Sequence, residues 1–384
     1  MVYKREQREA IEAATLAPYA LQSAASQGRI YPETESISRT AFERDRDRII
    51  HTTAFRRLEY KTQVFVFYEG DHYRTRLTHT MEVAQLGRSL ARGLGANQDL
   101  VEAICLAHDL GHAPFGHAGE HILNQLMADH GGFNHNTQSF RIVTALEERY
   151  PDFPGLNLTY ETREGMIKHE TAYDKSDASG YAPEKRASLE AQLANLADEI
   201  AYNAHDLDDG LRADLFTIDD LAELVIWQDL MAAVGWDGQR PFTNIIRHEI
   251  IRELIGRSVA DVLGQTAVQL KTHNLDTPLK IQTHAENIVG YTPEFGAKIQ
   301  RLKRFLYERM YRHYRLMRMQ FKAERFISEL FGVYLQEPHM LPDAHYSRLD
   351  HEPLPRVITD YIAGMTDRYA LDEWQKIFNP YERT

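Results

Sequence analysis

Apolar positions recur at helical spacing along most of the chain. Val83, Leu86, Leu90 and Leu94 form one stripe, Leu100, Ala103, Ile104 and Ala107 a second, and Leu189, Leu193, Leu196 and Ile200 another. Gly95 and Gly111 stand where the first two helices should end. A further helix is predicted to begin near Gly116, after the His112-Ala-Pro-Phe turn, and residues 210–275 and 297–335 again read as helices. Upstream, Thr40-Ala-Phe-Glu43 has the capping-box pattern, in which a threonine oxygen and a glutamate carboxylate satisfy the free amides of a helix start, and the helix is predicted to run to about Lys61. One stretch breaks the period. Gln63-Val-Phe-Val-Phe-Tyr68 is β-branched and aromatic and precedes Glu69-Gly70-Asp71, which predicts a small two-stranded β-hairpin. Residues 1–38 are polar and interrupted by Pro32, so an irregular N-terminal arm is expected; Tyr173–Pro183 is small and polar and is expected to be a mobile loop or lid. The fold class that follows is all-α, organised as an arm (1–38), a helical core (39–215) and a helical C-terminal region (216–384).

Composition narrows the class. With 43% hydrophobic and 26% charged residues among 384, collagen-like, mucin-like and wholly disordered chains are excluded. A single cysteine, Cys105, excludes a disulfide framework and a cysteine-rich zinc site. The net charge of −12 argues against wrapping nucleic acid with the whole surface, although Arg301–Arg325 carries nine basic residues against two acidic ones. The amino terminus lacks the apolar core of a secretory signal, and no stretch reaches the ~18 apolar residues of a membrane span, so a cytoplasmic protein is expected.

The chemistry concentrates in histidines and carboxylates. His108-Asp109 closes an apolar helix; successive helical residues point about 100° apart, so both can face one ion only where the helix ends. His79 heads the preceding helix, and Asp198 sits among core positions of the Leu193/Leu196/Ile200 stripe, where a carboxylate needs a cation or partner. Two imidazoles with two carboxylates suit a divalent ion such as Mg, Mn, Fe, Co or Ni and leave positions open for water and substrate. His117 and Glu120 stand at i and i+3 near a helix start and so face one way. Asp198, Tyr202 and Asp206 succeed one another by single turns and share a face.

In this order, His79, His108-Asp109 and Asp198 resemble the HD-domain metal-dependent phosphohydrolases. The flanking segments Arg76–Gln85, Ala107–Glu120, Phe133–Asn136 and Leu196–Tyr202, continued by Arg56–Tyr60 and Leu302–His313, resemble the deoxyguanosinetriphosphate triphosphohydrolase (dGTPase) group, and the likeness spans about residues 38–320. The resemblance implies an HD-domain catalytic core over 39–215, with the C-terminal region completing the pocket, and hydrolysis of a deoxynucleoside triphosphate to deoxynucleoside and inorganic triphosphate. It further implies His79, His108, Asp109 and Asp198 as metal ligands; His117, Glu120 and His135 as catalytic; His112 and Arg76 as phosphate contacts; and Lys303 and Tyr311 as substrate contacts. By resemblance to the vertebrate SAM-and-HD-domain triphosphohydrolase, Tyr202 would exclude a ribose 2′-OH, while Asp206 and Gln63 would bind the 3′-OH. One departure is Glu199, where that enzyme has a phosphate-holding lysine; the duty would pass to another cation, for which the 301–325 stretch offers candidates. The resemblance also implies a homo-oligomer, with a regulatory dNTP or single-stranded DNA as further candidate partners.

Competing readings are an HD phosphodiesterase or nucleotidase acting on another phosphate ester and a nucleotide-sensing regulatory module without turnover. His117-Ala-Gly-Glu-His121 matches the H-x-x-E-H zinc pattern, and Asp206-Leu-Asp-Asp-Gly210 resembles a calcium loop without its full spacing.

Overall fold

The computed structural model describes residues 3–65, 72–169 and 180–383. Among the described residues the secondary structure is helical, with three isolated antiparallel bridges, Arg29–Thr159, Thr62–Thr75 and Tyr150–Phe153, and no strand. Most of the predicted hairpin lies outside the described residues; Gln63, Val64 and Phe65 form no strand, and the flanks meet only at Thr62–Thr75. The expected lid over Tyr173–Pro183 likewise falls mostly outside them.

The arm contains a helix that the sequence reading did not expect, α1 (Arg5–Thr15). It buries no residue; polar anchors hold it instead. Glu12 accepts from Ser23 N and Oγ at 2.9 Å each, and Arg8 pairs with Glu43. The capping box at Thr40/Glu43 starts α2 (Ala41–Ile50), which stops short of the expected Lys61. Thr52 accepts from Phe55 N and starts a separate short helix, α3 (Thr53–Arg57).

The helices α4 (Arg76–Leu94), α5 (Gln98–Ala107), α6 (His117–Leu126), α7 (His135–Arg141), α8 (Tyr160–Ile167) and α9 (Leu189–Arg212) carry the candidate chemistry. Beyond them come α10 (Ile218–Leu221), α11 (Val225–Ala233), α12 (Asn244–Thr272), α13 (Pro278–Gln282), α14 (Pro293–Leu306), α15 (Tyr314–Gln336), α16 (Asp343–Tyr346), α17 (Leu354–Gly364) and α18 (Asp367–Phe378). α4, α5 and α9 pack mutually, with α2 on α5 and α12 along α9; α15 packs on α6, α17 and α18. Among the described residues three apolar clusters result, around Val83/Leu100/Leu193, around Leu123/Ile327/Val357 and around Leu207/Trp227/Ile250. Each draws residues from both sides of position 215, so the C-terminal helices pack into the same cores as the site-bearing ones.

Gly95 ends α4 in the left-handed conformation, φ +67°, as its sequence position predicts. Gly111 does not terminate α5, which ends at Ala107 with His108 as its cap. Its function is close approach: a Cβ there would stand 2.2 Å from Ser139 N and 2.4 Å from the His135 carbonyl oxygen. Ser139 closes the helix end, its Oγ accepting from Gly111 N at 2.8 Å and donating to the His108 carbonyl at 2.7 Å.

Candidate active site

At the junction of α4, α5 and α9, buried polar groups face one another instead of apolar side chains. His79, His108 and Asp109 bring ligand atoms within 4.8 Å of one another, a grouping that could hold a metal ion. Asp198 Oδ1 stands 3.0 Å from His79 Nε2 and 3.6 Å from His108 Nε2. His108 is oriented by its own helix: Nδ1 lies 2.6 Å from the Cys105 carbonyl and donates to it, which leaves Nε2 a lone pair. That Nε2 is buried and makes no hydrogen bond. The donor set therefore fits a divalent cation: two imidazole nitrogens, two carboxylates and an orphaned lone pair between them. The electrostatics point the same way. Burial alone would lower His108, yet Asp109 and Asp198 raise it to about 9, so without a cation Nε2 takes a proton into the space between the carboxylates, and a bound cation would replace that proton at the lone pair. Burial would raise both aspartates; for Asp109 the charges of His108, Arg76 and His112 outweigh it, and for Asp198 His108 does so, with both held well below the usual carboxylate range.

A second row of residues leads outward. Arg76 donates to Asp109 Oδ2 at 2.9 Å and leaves Nε and one terminal nitrogen without partners. His112 Nε2 lies 3.0 Å from Asp109 Oδ1, and its ring stacks on His135 with centroids 3.9 Å apart. Glu120 Oε1 accepts from both the backbone N and Nδ1 of His135, at 2.8 Å each, while Oε2 is 3.4 Å from His117 Nδ1. Burial would raise Glu120, but the charge of His135 and the bonds from both histidines hold it well below its ordinary value. His117 is 53% exposed, at the open end of the row.

On the other side, Tyr311 donates to Asp206 Oδ2 at 2.8 Å, and the Tyr202 and Tyr311 rings stack 6.2 Å apart at 15°. A π-turn at Tyr307–Tyr311, between α14 and α15, places Tyr311 there. Asp206 is buried, not a solvated carboxylate at a helix end, and burial raises it to about 8. Asp206 to Gly210 continues α9, so the calcium-loop comparison fails on geometry. Gln63 is buried with its amide oxygen unpartnered. Lys303 Nζ lies 3.4 Å from Glu199 Oε2, so a lysine from α14 reaches the position where the sequence departs from the vertebrate pattern. Arg301, Arg304 and Arg312 point to solvent. His121 is exposed and contacts Gln125, so the H-x-x-E-H histidines do not converge.

Several residues at the site escaped the sequence reading. His169, past the end of α8, puts Nε2 3.8 Å from Asp198 Oδ2. His205 meets His79 through Nδ1 at 3.1 Å. Lys61 donates to the carbonyls of His112 and Ala363, and Asp367 accepts from Thr62 and Phe115. Only His205 carried a usable signal, sharing the α9 face of Asp198 and Tyr202 at i+7 and i+3.

Comparison with known proteins places this geometry. The HD domain matches residues 76–203, which hold the whole His/Asp cluster, and the phosphohydrolase-associated domain matches residues 289–376. A deoxyguanosinetriphosphate triphosphohydrolase-like protein of Geobacter sulfurreducens is 47% identical over 99% of both chains. Proteins of the same description from Bradyrhizobium sp. and Ralstonia nicotianae are 49% and 50% identical, covering 96% and 94% of this chain and 97% and 94% of their own. The chain belongs to the dGTPase-like HD-domain family. As an HD phosphohydrolase-family protein it has the all-α fold the sequence implied, and a His/Asp cluster able to hold a divalent ion. The dGTPase-like family match is nearly full-length, so it takes in the C-terminal helices that share the site's cores. No described helix is long and apolar enough to cross a membrane.

Proposed function

We propose that the protein is a divalent-metal-dependent triphosphohydrolase that cleaves a dNTP, dGTP or dNTPs broadly, to deoxynucleoside and inorganic triphosphate. The observation that carries this reading is the continuous row from the ligand cluster to solvent: Asp109 to His112, His112 stacked on His135, and Glu120 joining His135 to His117. In this reading His79, His108, Asp109 and Asp198 hold the ion. A bound divalent ion supplies Lewis-acid polarisation of a phosphoryl oxygen.

The chain's own groups would do the rest. Arg76, with two free N–H faces, would grip phosphate oxygens, and His112 and Lys303 would add donors. Water adds to the α-phosphorus, the bond to the 5′ oxygen breaks, and the departing oxygen takes a proton. His117, held by Glu120, is placed to exchange that proton with solvent, with His135 fixed on the same carboxylate. Asp206, beside Tyr311, and Gln63 each present an unpartnered buried oxygen, and these two would accept from the 3′-OH. Tyr202 would bar a 2′-OH.

Residues 39–215 would then form the catalytic core, with 1–38 an arm and 216–384 completing the pocket. The setting would be the cytoplasm and the working form a homo-oligomer, with a regulatory dNTP or single-stranded DNA as further ligands. The test is to incubate the protein with each dNTP and NTP plus Mn or Mg and resolve the products. Deoxynucleoside with intact triphosphate is expected; pyrophosphate with the nucleoside monophosphate would overturn the bond assignment.

A further inference from the structure

His79 on α4 and His205 on α9 meet through the same ring atom, their Nδ1 nitrogens 3.1 Å apart. Two imidazole nitrogens at that distance share one proton, so one donates and the other accepts. The far side of His205 decides which. Its Nε2 lies against Oε2 of Glu82, three residues beyond His79 on α4. A carboxylate only accepts, so its charge beside Nε2 favours hydrogen on that nitrogen and leaves Nδ1 of His205 as the lone pair. With a divalent cation in place of a proton between His79 Nε2 and the Asp198 carboxylate, His79 donates from Nδ1 and its Nε2 keeps the lone pair. That atom is the one facing Asp198 Oδ1 and Asp109 Oδ2, at 3.0 and 3.9 Å.

We infer that Glu82 and His205 are positioning residues that lock His79 in its Nδ1–H tautomer and so turn its Nε2 lone pair toward the divalent cation. The inference rests on the ligand set proposed above. His108 reaches the same state through the Cys105 carbonyl of its own helix, which no side-chain change removes. His79 depends on two side chains instead, and Arg74, 3.5 Å from Glu82 Oε1, favours the carboxylate as acceptor. The outer end of this chain meets solvent: Glu82 is 46% exposed and, with Arg74, Asp208, Arg212 and His248, lines a cavity of about 760 Å³. Outer partners of this kind typically change metal affinity about 10–100-fold.

The test is equilibrium dialysis of Mn(II) against the metal-stripped full-length chain and its variants, with thermal melts confirming that each is folded. His79→Ala should lose stoichiometric Mn. His205→Ala and Glu82→Gln should weaken the Mn Kd by about 10–100-fold, the second because an amide can donate to His205 Nε2 and reverse the chain. His205→Asn, whose amide oxygen can accept from His79 Nδ1, should recover part of the loss. Mn loss in His79→Ala with wild-type Kd in His205→Ala and Glu82→Gln overturns the relay and leaves the ligand set standing. Full Mn binding by His79→Ala overturns the ligand set itself. If His205→Ala does not fold, Glu82→Gln, a half-exposed position, decides alone.

Discussion

The Asp367 carboxylate accepts from the backbone N–H of Phe115 at 2.8 Å, although 252 residues separate the two. Phe115 has φ +64°, a left-handed conformation that costs a bulky residue about 1–2 kcal/mol, and it precedes Gly116 and the start of α6. The same carboxylate accepts from Thr62 N at 3.0 Å and from Thr62 Oγ1, beside Gln63. One C-terminal side chain thus fixes the loop from His112 to His117 and the segment that carries Gln63. Asp367→Ala is expected to lower kcat at least about tenfold, with Mn stoichiometry retained and stability reduced by about 1–3 kcal/mol. Asp367→Asn, which keeps an acceptor, should fall between. Steady-state kinetics with metal analysis checks it, and unaltered kcat in a folded Asp367→Ala would show that the loop holds itself.

His117 is exposed, pairs with Glu120 and meets the His112 and His135 rings edge-on, whereas Glu120 holds both His117 and His135. His117→Ala should therefore cut kcat by about 10²–10⁴ with nucleotide and metal binding intact, and Glu120→Ala should cost at least as much because it releases two imidazoles. Full turnover by His117→Ala would move the proton transfer to His135.

Loss of a buried ligand should act on the ion itself. His108→Ala and Asp198→Ala are each expected to lose stoichiometric metal and turnover together, since His108 Nε2 and Asp198 Oδ1 lie 3.6 Å apart with no competing hydrogen bond at the histidine nitrogen. Elemental analysis decides it; retention of metal in both would dissolve the proposed centre.

What was legible in the sequence follows from the range over which each signal acts. The α4, α5 and α9 stripes are local periodicities, and they appear as helices at the expected places. α1 was not legible because it buries no apolar face; its anchors, Ser23 and Glu43, lie elsewhere along the chain. Gly111 was legible as important but not as what it is, since its constraint comes from Ser139 and His135 on α7. The grouping of His79, His108, Asp109 and Asp198 was suggested by ordered spacing and family likeness. His169, Ser139 and Asp367 reach the site from distant segments and leave no periodic trace.

A group far from the chemistry supplies a pH signature. Glu190 accepts from Leu21 N and Asn97 N, tying the arm to the start of α5, and burial raises it from 4.5 to about 7. The folded state therefore holds a proton that the unfolded state has released between these values, so stability from this group falls as pH rises from about 4.5 to 7 and is flat above. Glu190→Gln, permanently neutral with the same acceptor, should match the wild type near pH 4.5 and exceed it at pH 8 by up to about 3 kcal/mol. Denaturant melts across this range measure the difference. A constant offset between the two proteins would assign the pH slope elsewhere.

Sugar selection gives the last expectation. Tyr202 stacks on Tyr311, and Tyr311 is fastened to Asp206, so the Tyr202 ring is backed by a fixed partner and does not yield easily to a bulkier sugar. Tyr202→Ala removes that wall. If the wall acts by steric exclusion, the ribonucleotide alone gains from its removal, and the ratio of kcat/KM for a dNTP over its NTP should fall by about tenfold or more. Tyr202→Phe keeps the ring and should keep most of the ratio, which separates exclusion by bulk from recognition by the phenol oxygen. Asp206→Ala should instead weaken both sugars alike, because the 3′-OH is common to them. An unchanged ratio in Tyr202→Ala would place the discrimination outside the α9 face, while a fall of equal size in Tyr202→Phe would assign it to the hydroxyl.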